Sequence, residues 1–486
     1  MKNRIKLHKI IIIAILVLTS IISFSTQIYA GTRMPKNIMI KVNDNEEVVV
    51  RAISVSYQNN IYISIRDVAT AMSGTSASFN AEVTISSLAI TTGEDYVDEY
   101  SHAGFAEEEL KYSAGQDPIL NEIKINGDLK KYFTVIMDMG GYYDCFISPM
   151  DLAMMLDIAM DYSEDSIIID TDDSFEINPA KMEGYGYFEG VNCIVVGDAT
   201  TGEIFYGYRP DDVCHIASTT KLMTYLLTMD AVHSGQIGEN DLVTISEHAA
   251  KLSSTQDGAV AMSAGWQIPL KDLITGALLP SSNECALALS EYVAGSEEAF
   301  VELMNRKAEE LSMTTARFYN TNGLPVYTDT IIPAKKQNHM SARDMFTMTA
   351  HILNTYPEVK SITSMRETRL DSLSLDIKNT NGLLYNMPEV NGLKTGTTDK
   401  SGACLITSLT VNDGSMDHDL VVVELGAENS QTRLRASELM ARYAKAVVLG
   451  KAAKISYSPN EESGENEGKV SAETIVKMVV DYALKK

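Results

Sequence analysis

Ser218 and Lys221 stand three residues apart at the head of an apolar run, Leu222-Met223-Thr224-Tyr225-Leu226-Leu227, and this stretch constrains the chain more than any other. The run reads as a buried helix that ends at Gly235, after His233. Residues at i and i+3 of a helix share a face, so the serine oxygen and the lysine amine fall side by side. A serine hydroxyl is a weak nucleophile at neutral pH and needs a base within hydrogen-bond reach. A lysine is that base only when it is neutral part of the time, a condition favoured by burial or a second cation. Taken alone, the pair reads more simply as a serine near a helix start with a solvated lysine one turn on. Two motifs further along the chain decide otherwise.

Ser281-Ser282-Asn283 comes after an apolar helix and Pro280, and Lys394-Thr395-Gly396 lies between a turn-like stretch, Pro388 to Gly392, and a strand. Ser-x-x-Lys and Lys-Thr-Gly each occur once in the chain. Ser-x-Asn recurs at Ser78 to Asn80 and at Ser458 to Asn460, so it carries weight only through its place in this order. The eight histidines form no His-Glu-x-x-His or similar set, which counts against a zinc carboxypeptidase.

At 486 residues the chain exceeds one ordinary core, and two or three domains are expected. Residues 1–30 read as an export signal: a basic start with Lys2, Arg4, Lys6 and Lys9, the apolar Ile10 to Ile22, then Ile28-Tyr29-Ala30 before Gly31. The alternative is an uncleaved membrane anchor, since Ile10 to Ala30 carries no charge. With no cysteine just after the apolar run, a lipoprotein anchor is not expected. The formal charge of −25 disfavours a nucleic-acid partner. Cys145, Cys193, Cys214, Cys285 and Cys404 show neither metal-ligand nor redox spacing and read as buried small hydrophobes.

Residues 36–173 hold a weak internal repeat, about 36–95 and 119–173. Ile40-Lys41-Val42-Asn43 returns as Ile123-Lys124-Ile125-Asn126, and Tyr62 to Ala69 returns as Phe146 to Ala153. Each copy predicts short strands, a helix begun near the aspartate, and a final strand. The stretches Ile65-Arg66-Asp67, Ser73-Gly74-Thr75-Ser76 and Ile90-Thr91-Thr92-Gly93 resemble the copper amine oxidase N-terminal-like, or stalk, modules. The only histidine here is His102, so no copper site is expected; the region reads as a spacer or wall-contacting module.

Residues 184–450 form a second unit, opened by a hairpin around Asp198 to Gly202. Helical patterns come next, among them Leu270 to Leu279, Glu284 to Val293 and Glu297 to Leu311, then strands and a last helix from about Gln431 to Val448. That order predicts α+β architecture with helices packed on an antiparallel sheet. Residues 451–469 are a polar linker, and 470–486 an amphipathic helix with Ala472, Ile475, Val476, Val479 and Ala483 on one face.

The three ordered motifs are those of penicillin-binding proteins and class A β-lactamases. The text around them resembles the D-alanyl-D-alanine carboxypeptidases of peptidase family S11: Pro280 to Leu289, Ala294 to Phe300, Asn322-Gly323-Leu324, His339 to Asp344, and Gly392 to Asp399. The likeness runs over about Gly190 to Gly450 and implies a multidomain α+β protein, a transpeptidase-like fold preceded by stalk modules. It also implies roles. Ser218 attacks the bond between two D-alanines, Lys221 takes its proton, and Lys394 helps keep Lys221 neutral by repulsion. Ser281 relays a proton to the leaving amine, and Asn283 hydrogen-bonds the substrate backbone. Backbone N–H groups of Ser218 and Thr397 form an oxyanion hole. Lys394, Thr395 and an arginine hold the substrate carboxylate, Arg433 by its position in the last helix, with Arg435 as rival, and Gly396 and Thr397 also bind the substrate.

No metal or cofactor is implied. The expected partners are peptidoglycan stem peptides ending in D-Ala-D-Ala and β-lactams as covalent inhibitors. The expected location is outside the cytoplasm, at the cell wall or the outer face of the membrane. Family members usually carry a β-rich domain and an amphipathic anchor after the catalytic domain. Here the β-rich domain is missing and stalk modules come first, so a contact of 470–486 with membrane stays open against packing on protein. Two rival readings stand: a serine β-lactamase, although no Glu-x-x-Leu-Asn pentapeptide is present, and a catalytically idle wall-binding protein.

Overall fold

The computed structural model describes residues 33–455 apart from 56–59, 97–117, 163–165, 176, 180–187, 189, 256–258 and 328–334. The expected export signal, most of the linker and the helix at 470–486 lie outside the described residues. Among the described residues no helix is long and apolar enough to cross a membrane.

The repeat region builds one sheet from β1 (Arg33–Val42), β2 (Val48–Val55), β3 (Asn60–Ser64), β4 (Phe79–Val83), β5 (Leu88–Thr92), β6 (Ile119–Ile125), β7 (Asp128–Asp138), β8 (Tyr143–Ile147), β9 (Ala159–Tyr162) and β10 (Ser166–Asp170). The order across it is β4-β5-β6-β7-β8-β3-β2-β1-β10-β9. The copies are therefore interleaved. The last strands of the first copy, β4 and β5, lie beside the second, and β9 and β10 of the second lie beside the first. Leu88 pairs with Ile123 in parallel, just as Ile40 pairs with Ile167. At the centre Ile63 pairs with its own counterpart Ile147, which puts a local two-fold axis between them.

Each copy carries a helix on the sheet, α1 (Ile65–Met72) and α2 (Pro149–Leu156). The repeated serine and aspartate explain the starts. Ser64 Oγ accepts from Asp67 N, and Ser148 Oγ accepts from Asp151 N, each capping an otherwise unpaired amide. Pro149 sits at the first helical position, where its missing N–H costs nothing. Arg51 is buried at the junction of the copies, 2.6 Å from Asp67 Oδ1 and 3.0 Å from Asp144 Oδ2.

The second unit is a five-stranded antiparallel sheet of β11 (Cys193–Asp198), β12 (Glu203–Tyr208), β13 (Val390–Thr398), β14 (Gly402–Asn412) and β15 (Asp417–Ala427), in the order β12-β11-β15-β14-β13. Its central strands are apolar on both faces because both are covered, and alternate residues sort to opposite sides. Val421, Val423 and Leu425 enter the larger core with helices α3 (Lys221–His233), α4 (Leu270–Leu278), α5 (Asn283–Ala294), α6 (Glu297–Glu310) and α7 (Ala342–Thr355). Leu420 and Val422 face α8 (Ser430–Val448) with Leu439 and Met440.

Lys394-Thr395-Gly396 departs from expectation. It lies inside edge strand β13 rather than between a turn and a strand, because Val390 already pairs with Leu409. The glycines of this strand, Gly392 and Gly396, sit where other chain segments approach closely. All five cysteines are buried and free. The two units share a core: Met150 and Met154 of α2 pack with Leu383, Leu384, Met387 and Leu434.

Candidate active site

A single turn of 3₁₀ helix, Ala217–Thr220, leads into α3 and presents Ser218 half-buried at its start. Lys221 opens α3 and is wholly buried. Its Nζ lies 2.9 Å from Ser218 Oγ, 2.8 Å from Asn283 Oδ1 and 2.9 Å from the Asn322 carbonyl. Burial lowers its pKa to about 7, and the charge of Glu284 works the other way. A neutral lysine amine has two N–H donors and one lone pair. Asn283 Oδ1 and the Asn322 carbonyl have no proton to give, so they take the two donors and leave the lone pair aimed at Ser218 Oγ. The arrangement can accept the serine proton.

Asn283 reaches Lys221 because Ser282, not Asn283, caps α5: Ser282 Oγ accepts from Cys285 N at 3.0 Å. Ser281 precedes it in a left-handed conformation, φ 67°, and is half-buried. Asn322 belongs to a loop fixed from several sides. Thr224 Oγ1 donates to Thr321 O, Gly323 N donates to Asn320 Oδ1, and Asn338 Nδ2 donates to Asn320 O. Gly323, at φ 91°, is needed there, since a Cβ would lie 1.9 Å from the Ala217 carbonyl oxygen.

Strand β13 forms the opposite wall. A Cβ on Gly396 would meet Ser218 N at 2.9 Å and Thr219 N at 3.0 Å, so only glycine lets the strand lie this close to Ser218. Lys394 is buried and donates to the Thr395 carbonyl at 3.0 Å. Burial holds its pKa well below the usual lysine range, helped by the charges of Lys221 and Arg433. For both lysines burial is the first cause; the charge of Lys221 lowers Lys394, whereas the charge that bears most on Lys221 is Glu284, not the Lys394 repulsion expected from the sequence. Thr395 Oγ1 is 2.5 Å from Thr380 Oγ1, and the exposed Thr397 Oγ1 accepts from Arg433 at 3.2 Å.

Arg433 and not Arg435 therefore joins the cleft; Arg435 points to Asp151. Beneath Arg433 lies the buried Glu424, whose carboxyl is pushed well above the carboxylate range by burial, with Arg433 opposing. Glu424 was visible as a lone charge in the run Leu420 to Leu425, but nothing marked it as belonging here. Thr380 had no signal, since Asn379-Thr380-Asn381-Gly382 reads as a turn.

The sequence profile of the D-alanyl-D-alanine carboxypeptidases, peptidase S11, matches residues 190–429. The chain is similar to the D-alanyl-D-alanine carboxypeptidase DacF of Bacillus subtilis, 33% identical over 245 residues, which is 49% of this chain and 58% of that protein. It is also similar to DacD of Escherichia coli, 31% identical over 253 residues, covering 51% of this chain and 61% of the relative. A D-alanyl-D-alanine endopeptidase of Pseudomonas aeruginosa is 31% identical over 236 residues, 47% of this chain and 70% of that protein. The match thus spans less than two thirds of the two carboxypeptidases. On the profile match and the coverage of the Pseudomonas relative, the chain belongs to the D-alanyl-D-alanine carboxypeptidase family, peptidase S11.

Proposed function

We propose that the protein is a serine-type D-Ala-D-Ala carboxypeptidase that removes the terminal D-alanine from peptidoglycan pentapeptide stems outside the cytoplasm, and that β-lactams acylate it. The observation that carries this reading is Lys221 Nζ, buried, 2.9 Å from Ser218 Oγ, with acceptors on Asn283 and Asn322 to take its two N–H donors. Lys221 takes the Ser218 proton as Oγ bonds to the carbonyl carbon of the penultimate D-alanine. The C–N bond then breaks, and the leaving amine receives a proton through Ser281. N–H groups of Ser218 and Thr397 stabilise the oxyanion. Lys394, Thr395 and Arg433 hold the terminal carboxylate. Water next adds to the Ser218 ester, releasing the shortened peptide and restoring the hydroxyl.

The test is the intact mass of the protein with benzylpenicillin, followed beside Ser218→Ala and beside D-alanine release from a D-Ala-D-Ala peptide. A lasting single adduct that the variant does not form, with D-alanine released by the wild type, supports the reading. An adduct that disappears as the drug turns over points to a β-lactamase. No adduct and no release point to an idle wall-binding protein.

A further inference from the structure

The two N-terminal copies neutralise the same buried carboxylate in different ways. In each, an aspartate stands three residues after the capping serine: Asp67 after Ser64 and Asp151 after Ser148. Asp67 is served from within its own copy, by the backbone N–H of Arg51 at 2.7 Å and by its guanidinium at 2.6 Å. Strand register identifies the matching place in the second copy. Ile63 faces Ala52 and its counterpart Ile147 faces Thr134, so the residues just before are Arg51 in one and Phe133 in the other. The second copy has an apolar ring there, and it packs against the core of the catalytic unit.

The cation for Asp151 comes instead from Arg435 of α8, Nε to Oδ1 at 3.5 Å, with both side chains under a tenth exposed. Tyr132 OH donates to Glu438 Oε1 at 3.1 Å, three residues further along the same helix. Asn386 exchanges two hydrogen bonds with Lys131 and donates to Glu438 Oε2 at 2.7 Å. The N-terminal unit thus grips α8 on one side, α2 at Arg435 and β7 at Glu438. On its other side the helix presents Arg433 to Thr397.

We propose that the second N-terminal copy is a working part of the substrate site: Asp151, acting through Arg435, is a positioning residue that fixes the first turns of α8 and with them the guanidinium of Arg433. The proposal rests on the reading above in which Arg433 holds the substrate's terminal carboxylate. A buried arginine left without its carboxylate moves toward water or a new partner. The start of α8 is otherwise pinned by the Asn429 cap, which accepts from Gln431 N and Thr432 N, and it shifts with Arg435. A displacement on the ångström scale is enough to weaken a charge-assisted hydrogen bond.

The experiment compares wild type with Asp151→Asn in the full chain. The KM for a D-Ala-D-Ala peptide is expected to rise about 10-fold, with kcat per penicillin-titratable Ser218 changed by less than about two-fold. Amide exchange over 430–436 is expected to quicken. Tyr132→Phe, which keeps the ring, is the milder variant if Asp151→Asn does not fold, and gives the same effects at smaller size. A KM unchanged per titratable molecule overturns the proposal. So does an equal loss with a peptide whose terminal carboxylate is amidated, because the effect then bypasses Arg433. If the wild type neither reacts with penicillin nor releases D-alanine, the proposed activity fails on its own account. Exchange over 430–436 then decides the coupling, unchanged exchange overturning it.

Discussion

Arg433 and Arg435 leave α8 two residues apart and reach different neighbours, Thr397 Oγ1 at 3.2 Å and Asp151 Oδ1 at 3.5 Å. Side chains at i and i+2 of a helix diverge by roughly 200°. One helix therefore serves the cleft with one arginine and helix α2 of the N-terminal unit with the other, and neighbouring positions in the sequence carry unrelated duties.

Arg433→Ala is expected to raise KM for a free-acid D-Ala-D-Ala peptide by about 10- to 100-fold, the range for removing one charge-assisted hydrogen bond. The same substitution leaves turnover of the amidated peptide nearly unchanged. Steady-state kinetics on the two peptides check it; equal losses on both would show that the arginine does not address the carboxylate.

Acylation of Ser218 should rise with pH through about 7, the value to which burial lowers Lys221. Below that pH Nζ is protonated, all three of its hydrogens point at acceptors, and no lone pair faces the serine. Above it the amine is neutral and accepts the proton. The pH profile of penicillin acylation, taken as a second-order rate, reads this directly. A flat profile between about pH 6 and 8 contradicts Lys221 as the base.

Gly396→Ala should cost both stability and reaction. The new methyl falls 2.9 Å from Ser218 N, so strand β13 or the 3₁₀ turn must move. Overpacking of this kind destabilises by about 1–3 kcal/mol. Acylation should fall by about 100-fold or more, because the N–H groups of Ser218 and Thr397, the proposed oxyanion donors, separate. Thermal melting and adduct formation measured on one sample separate the two losses.

Burial pushes the Asp144 carboxyl up to about 6, against the pull of Arg51 and the hydrogen bond from Ser64. A carboxyl raised in the folded state contributes stability that is present below its unfolded value near 4 and lost as pH rises through about 6. The N-terminal sheet should therefore melt at higher temperature near pH 4.5 than near pH 7 through this group. Asp144→Asn should flatten that part of the dependence, measured by melting the two proteins across the range.

The residues gathered in the cleft were legible because their pattern fixes residue types: a serine, a lysine one helical turn on, and a lysine and glycine on the facing strand. The helices of the larger core were legible too, since Leu270 to Leu279 and Glu297 to Leu311 carry a clear apolar face, and the helices found there end within a residue of those limits. The choice between Arg433 and Arg435 depended on which face of α8 meets which sheet, and periodicity alone does not rank two faces that are both covered. The start of the Lys394 strand was not legible because Pro388 to Gly392 reads as a turn, and Gly392 and Gly396 interrupt the apolar pattern. Those glycines answer instead to close neighbours, Thr363 in one case and the backbone of Ser218 in the other. The interleaving of the repeats left no trace either. The same alternation of apolar residues satisfies β10 beside β1 or beside β6, and only the three-dimensional arrangement chooses.

That interleaving imposes an order in time. A chain made from its N-terminus exposes the outer edge of β1 until β10 has been synthesised, since Ile40 must wait for Ile167. An open strand edge invites pairing with other chains. The first copy thus remains a half-finished surface through the whole making of the second, and a truncation between them would leave a sticky fragment rather than a smaller domain.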